Sequence, residues 1–311
     1  MDRFRLVAFW ALATATGVHS LSAQAPEDER SFAPSGQWFV TNDGESCLLA
    51  RQFGPRADGV TFGLQAFAPG TPYYHVILRG DPLPHREGGA VDLTFRFSPD
   101  AETQSSTGVL LGSEPPRVTF PASLEAPSVL EARRKGEPRP MTSDPVREAA
   151  IDTMHIGFSR GRAIALQLGA MAAPMNQLRE CATSLPEKWG LDPAVQQSLR
   201  RPPQPIDQGT WLTSGSYPWE YLRNGLSVRV YLRLMTDSRG GVERCVVQFP
   251  KGESIAGTVA CREIMKTARF EPALDAEGQP VPSYYATSIF YNTPRSNGPL
   301  PGRSRTQGIC C

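Results

Sequence analysis

Apolar residues in this chain recur at every second position, segment after segment. In 91–97 (VDLTFRF), Val91, Leu93, Phe95 and Phe97 fall on one side of an extended strand, and Asp92, Thr94 and Arg96 on the other. In 226–235 (LSVRVYLRLM), Val228, Val230, Leu232 and Leu234 share a face in the same way. A period of two marks strands with one face on a core, and a helix does not satisfy it. The punctuation agrees: 28 glycines and 29 prolines in 311 residues keep the runs short and the turns frequent. WFV (38–40), CLLARQF (47–53), VTFGLQAF (60–67) and YYHVIL (73–78) read as strands, with Asn42-Asp43-Gly44 turning between the first two. Arg117–Phe120 reads as another strand and Ser128–Arg134 as a short helix. A stronger helix starts at Ala172, with Leu178, Cys181, Ala182 and Leu185 as its apolar stripe, and ends before Pro186. The expected class is α+β: residues 24–35 a flexible leader, then an antiparallel-sheet domain over 36–190 that closes with a helix.

Residues 194–209 contain RRPPQPIDQG, which reads as a semi-rigid linker. A second, small domain follows over 210–292. Its strands are 226–235 and 242–249 (VERCVVQF), joined by the turn DSRGG (237–241), with Cys245, Val247 and Phe249 on one face. A helix over about 254–269 carries the stripe Cys261, Ile264, Met265 and Ala268. SYYATSIFYN (283–292) is the last strand, and 293–311 is a flexible tail.

Arg3 and Arg5 precede an apolar run from Leu6 to about Val18, and small residues follow. That is the layout of a secretory signal over 1–23, cleaved after Ala23; left uncleaved, the run would anchor the chain in the inner membrane. The expected compartment is the periplasm, where cysteines pair. Of the six, Cys47 on an early strand and Cys181 on the long helix are one expected pair. Cys245 and Cys261, both directed into the contact between hairpin and helix, are the other, closing a loop worth about 3 kcal/mol in the loop-entropy model. Cys310 and Cys311 sit in the tail, either unpaired or linking two chains as a homodimer. A net charge of +1 argues against a nucleic-acid partner. No C-x-x-C, G-x-G-x-x-G or paired carboxylate motif stands out, so neither metal nor small-molecule cofactor is expected.

Taken together and in order, Tyr217-Pro218, Gly225, VRVYLRLMTDSRGGVERCVV, the helix, and Phe270-Glu271-Pro272-Ala273 followed by Gly278 and Pro280-Val281 resemble the C-terminal domain of TonB-family proteins. The resemblance covers about 75 residues, roughly a quarter of the chain. It implies a non-catalytic envelope protein that binds a short peptide of an outer-membrane transporter by adding a strand to a sheet edge, in TonB-dependent transport. The family's binding edge is usually the last strand, which here places binding at Tyr284, Tyr285, Ala286, Thr287, Ser288, Ile289 and Phe290. Tyr284, Tyr285 and Tyr291 either touch the partner or cover the core. A cleaved signal and a short linker depart from a force transducer, which needs a membrane anchor and a long spacer; a soluble periplasmic adaptor or scaffold is the alternative.

One enzymatic signal remains. Gly157-Phe158-Ser159-Arg160-Gly161 has the spacing of a hydrolase nucleophile elbow, which would make Ser159 a nucleophile. The elbow requires a strand, a sharp turn and a helix, with a histidine later in the chain, and no histidine follows Ser159. The competing reading is a turn between two strands, His155–Ser159 and Ala163–Leu168, and no enzyme activity.

Overall fold

The alternating segments pair into sheets. The computed structural model describes residues 29–84, 89–98, 101–111, 113–125, 131, 144–159, 161–252 and 254–293. The signal segment, most of the expected helix at Ser128–Arg134, and the tail with Cys310 and Cys311 lie outside the described residues. The protein is mixed α+β, mostly sheet, with a large curled sheet and few helices.

The large sheet has ten strands: β1 Arg30–Phe32, β2 Phe39–Asn42, β3 Cys47–Phe53, β4 Val60–Ala66, β5 Tyr73–Arg79, β6 Gly89–Phe97, β7 Gln104–Leu111, β8 Arg117–Ser123, β9 Thr153–Phe158 and β10 Ile164–Gln167. Their order is β1-β10-β9-β6-β7-β8-β5-β4-β3-β2, antiparallel throughout except for β1 beside β10. Just past β1 the chain reaches the far side of the sheet. Ser35 N donates to Gln52 O at 2.9 Å, Gly54 N donates to Ala33 O at 2.8 Å, and Pro34 bridges Phe53. The segment after Glu29 therefore closes the curl between β10 and β3. It is not the flexible leader that 24–35 suggests. A three-residue strand is too short to show a period, so only its pairing reveals it. The strand β7 also gives little sequence signal, because Gln104, Ser105, Ser106 and Thr107 leave it apolar at one end alone.

The curl encloses large apolar side chains, among them Phe53, Phe62, Phe120, Leu64, Met154 and Ile156, all fully buried. Helix α1 (Pro145–Ala149) is capped by Asp144, whose side chain accepts from Val146 N and Arg147 N. Helix α2 (Ala172–Thr183) buries Met175, Leu178 and Ala182 in the same core. The Cys47–Cys181 disulfide ties α2 to β3, with Cα atoms 6.0 Å apart. Helices α3 (Leu185–Lys188) and α4 (Pro193–Gln197) follow.

The segment read as a linker is structured. It carries α4 and β11 (Gln204–Ile206), and β11 pairs with a strand from the crossing described next. Its prolines stand where no ladder hydrogen bond is needed. After α5 (Trp219–Arg223) come β12 (Val228–Thr236), β13 (Val242–Phe249), α6 (Ile255–Thr267), the crossing strands β14 (Arg269–Glu271), β15 (Ala273–Leu274) and β16 (Pro280–Val281), and β17 (Ser283–Tyr291). The sheet order is β13-β12-β17, antiparallel. Ser254 caps α6, its Oγ accepting from Gly257 N at 3.1 Å. Ala256, Ala260, Ile264 and Ala268 pack on Val230, Leu232 and Leu234, and Cys245–Cys261 joins β13 to α6.

Two faces differ from the sequence reading. Met265 is 42% exposed, because small alanines let α6 sit close to the sheet and turn Met265 outward. Phe249 does not share the face of Cys245 and Val247. A bulge at Gln248 sets Phe249 opposite Tyr231 and Val247 opposite Leu232, so Phe249 faces the large sheet.

The turn between β12 and β13 depends on Gly240. Its φ is +83°, and a Cβ there would lie 1.9 Å from the carbonyl oxygen of Phe270, whose N–H donates to Gly240 O at 2.9 Å. Gly240→Ala therefore combines left-handed strain with a backbone clash and should cost about 2 kcal/mol or more. Urea unfolding of the two proteins checks this; an unchanged midpoint would contradict it.

Candidate functional site

The strand β12 is buried on both sides. Its apolar face covers α6, and its other face, with Arg229, Tyr231, Arg233 and Met235, meets the outside of the large sheet. Most of the polar side chains there have a partner for at least one of their atoms. The guanidinium of Arg233 pairs with Glu45 and lies 4.2 Å from the ring centroid of Trp189. Gln248 donates to Glu45 O at 2.6 Å and Phe67 O at 3.0 Å, and Trp189 Nε1 donates to Gly44 O at 2.9 Å. Lys251 reaches Asp43 at 2.6 Å. The β2–β3 turn thus grips the small sheet through both side chains and carbonyls.

Deeper in, Tyr231 stacks on Phe67 with centroids 4.3 Å apart, and its hydroxyl lies 2.9 Å from Nδ1 of the fully buried His75. Burial, helped by the charge of Arg229, depresses the His75 pKa from 6.5 to about 3. The imidazole is therefore neutral when folded and would bind a proton near 6.5 when unfolded.

Arg229 is the exception. It is 6% exposed, and its guanidinium lies 4.4 Å from the ring centroid of Phe290. Among the described residues it has no carboxylate partner, and its Nε has no hydrogen-bond acceptor. Burial pushes the guanidinium below its ordinary value. Together with Phe290 it forms one wall of a groove of about 700 Å³. The rest of the groove is formed by β6, β7, β8 and β9 and mixes apolar surface such as Phe158 and Pro121 with polar side chains such as Thr94, Gln104, Ser106 and Ser123. Asp92 also borders it and accepts from Thr107 Oγ1 at 3.2 Å. Among the described lining residues Arg229 is the one cation. Arg229, Tyr231 and Arg233 alternate with Val228, Val230, Leu232 and Leu234, the pattern of any strand with one face in water, so the sequence does not single Arg229 out.

The last strand runs past this groove. Within its sheet β17 has β12 as its one strand neighbour. Tyr285 packs against Trp211 and Phe270 in the α6 core, and Tyr291 against Tyr217. Tyr284 meets Trp189 edge-on at 4.8 Å. All three rings therefore contribute to packing. Ala286, Thr287 and Ser288 border a smaller cleft with Phe67, Thr71 and Pro121. Ile289 and Phe290 are half-buried.

Ser159 lies at the end of β9, where its N–H donates to Asp92 O at 2.9 Å, and it borders the large groove. The chain then returns as the antiparallel strand β10. The helix that an elbow needs is absent there, because Ile164, Ala165 and Leu166 are taken into the sheet. His155 is bonded to Glu29 at 3.0 Å, and among the described residues no hydrogen bond joins Ser159 to a histidine.

No family model, curated protein or solved structure matches the chain. Among the described residues no three His, Cys, Asp or Glu side chains are placed to hold a metal, and no helix is long and apolar enough to cross a membrane.

The buried His75 makes stability pH-dependent. Between about pH 6.5 and 3 the unfolded chain binds one proton that the folded one excludes. Stability from this group is complete above pH 6.5 and falls by about 1.4 kcal/mol per pH unit as the pH drops. Chemical denaturation from pH 7 to 4 should show a shallower loss for His75→Gln than for the parent. Parallel curves would contradict this.

Proposed function

We propose that the protein is a non-catalytic binding protein of the cell envelope, exported to the periplasm, whose C-terminal domain is TonB-like and takes an extended segment of a partner along β17. The observation that carries this reading is the position of β17. It is an edge strand of its sheet, with Phe290 bordering the large groove and Ala286, Thr287 and Ser288 bordering the smaller cleft. An added strand would satisfy backbone groups along the Thr287–Phe290 half while its side chains enter the groove. The partner class is an outer-membrane transporter or another envelope protein. Two disulfides are consistent with export. The hairpin, helix and third strand of the C-terminal sheet suit the TonB-like assignment. A hairpin at Ser159 in place of an elbow supports a binding rather than a hydrolytic role.

A second version has specific support. The small sheet is held against the large one by Arg233, Gln248 and Lys251, not carried on a long spacer. This favours an adaptor or scaffold that binds a partner without transmitting force.

Photo-crosslinking in the native cell tests both. With the reactive residue at Ile289 or Phe290, capture of an outer-membrane transporter supports a role in TonB-dependent transport, and capture of other envelope proteins supports the adaptor. Capture at neither position, beside strong capture at a control position remote from the groove, would remove strand addition.

A further inference from the structure

We infer that the groove beside β17 is a carboxylate-binding subsite, in which the guanidinium of Arg229 pairs with a carboxylate carried by the bound segment. The inference rests on the strand-addition reading and names the chemistry of what is added. Its ground is Arg229 itself. A buried charge is normally paired, since leaving it without a counter-ion costs far more than a neutral polar group would. The neighbouring Arg233 obeys this, with Glu45 against it. Arg229, four residues back on the same face, is also buried, and among the described residues no carboxylate is paired with it, although Asp92 borders the same groove. Phe290 lies against the guanidinium, and both side chains border the groove.

The shape of the site adds to this. Arg229 pairs with Phe290 in the β12–β17 register, so the cation stands at the far end of the Thr287–Phe290 half. A segment added along that half brings its terminal residue, or the next side chain, to the guanidinium. The planar fork of arginine suits a carboxylate held by two parallel hydrogen bonds. The hydroxyls of Thr94, Ser106 and Ser123 in the groove supply neutral donors and acceptors, Arg229 is the one cation of the described lining, and Asp92 is its one carboxylate. The carboxylate has two sources, an Asp or Glu side chain or the C-terminus of the partner.

Random heptapeptides on beads, tethered through their N-termini and presented with either a free or an amidated C-terminus, distinguish the sources when panned with the oxidised full-length protein. A side-chain source enriches Asp or Glu at one position by about tenfold or more, and a terminal source favours free acids over amides by a similar factor. Either preference should vanish in Arg229→Gln while neutral peptides are still captured, and should persist in part in Arg229→Lys, which keeps the charge but loses the fork. The thermal midpoint of free Arg229→Gln should equal or exceed that of the parent, since the charge removed is unpaired there; a purely structural arginine would lower it. Capture of peptides with no acidic preference and no effect of amidation overturns the carboxylate subsite and leaves strand addition standing. Arg229-dependent capture of acids with no crosslinking through β17 overturns strand addition alone. Capture of no peptide overturns both.

Discussion

The strand β12 is buried on both faces, and the rest of the architecture answers to that. A strand at the centre of a small sheet ordinarily turns one face to a helix and the other to water. Here the second face is covered by the outside of the large sheet, so two arginines, a tyrosine and a glutamine lose their solvent. Desolvating them is acceptable only where each finds a partner. Glu45 and Trp189 serve Arg233, the carbonyls of Glu45 and Phe67 serve Gln248, and His75 serves Tyr231. These contacts come from residues distant in the chain, so they also fix the orientation of the two sheets. Arg229 stands at the margin of this arrangement, where the sheets part and the groove opens.

The proposed role follows from the same geometry. In the proposed role the large sheet does not form the binding edge; it provides the groove wall beside Phe290. The two disulfides each join a helix to a strand, β3 to α2 and β13 to α6, and neither borders the groove. They fix the two cores and lie away from the surface proposed for recognition. The Cys245–Cys261 bond helps keep a thin three-stranded sheet folded.

Much of the sheet content was legible in the sequence because period-two patterning reports one buried face. Val228, Val230, Leu232 and Leu234 declared their strand and its core face, and the two disulfide pairs followed from where their elements had to meet. The patterning failed where the second face was also buried. Phe249 was set on the α6 side because strict alternation cannot anticipate a bulge. The strand β1 was missed because three residues hold no period and its role is to close a curl between residues far apart in sequence. Met265 was placed in the core because helical spacing alone does not separate it from the alanines that fill the contact. The candidate site was the least legible part. Tyr284, Tyr285 and Tyr291 drew attention by composition, yet their rings pack internally, whereas Arg229 looked like an ordinary solvent-facing residue until the second sheet covered it.

The groove exists because the two sheets are docked as one unit, and native-state amide hydrogen exchange tests that most directly. The amides of Val230–Leu234 on β12 and of Val76–Leu78 on β5 should open in one cooperative event with a shared free energy, and Glu45→Ala should lower that of β12. Exchange of β12 in a separate, easier opening that is indifferent to Glu45 would mean that the sheets part freely, and the account of the groove would fall with it.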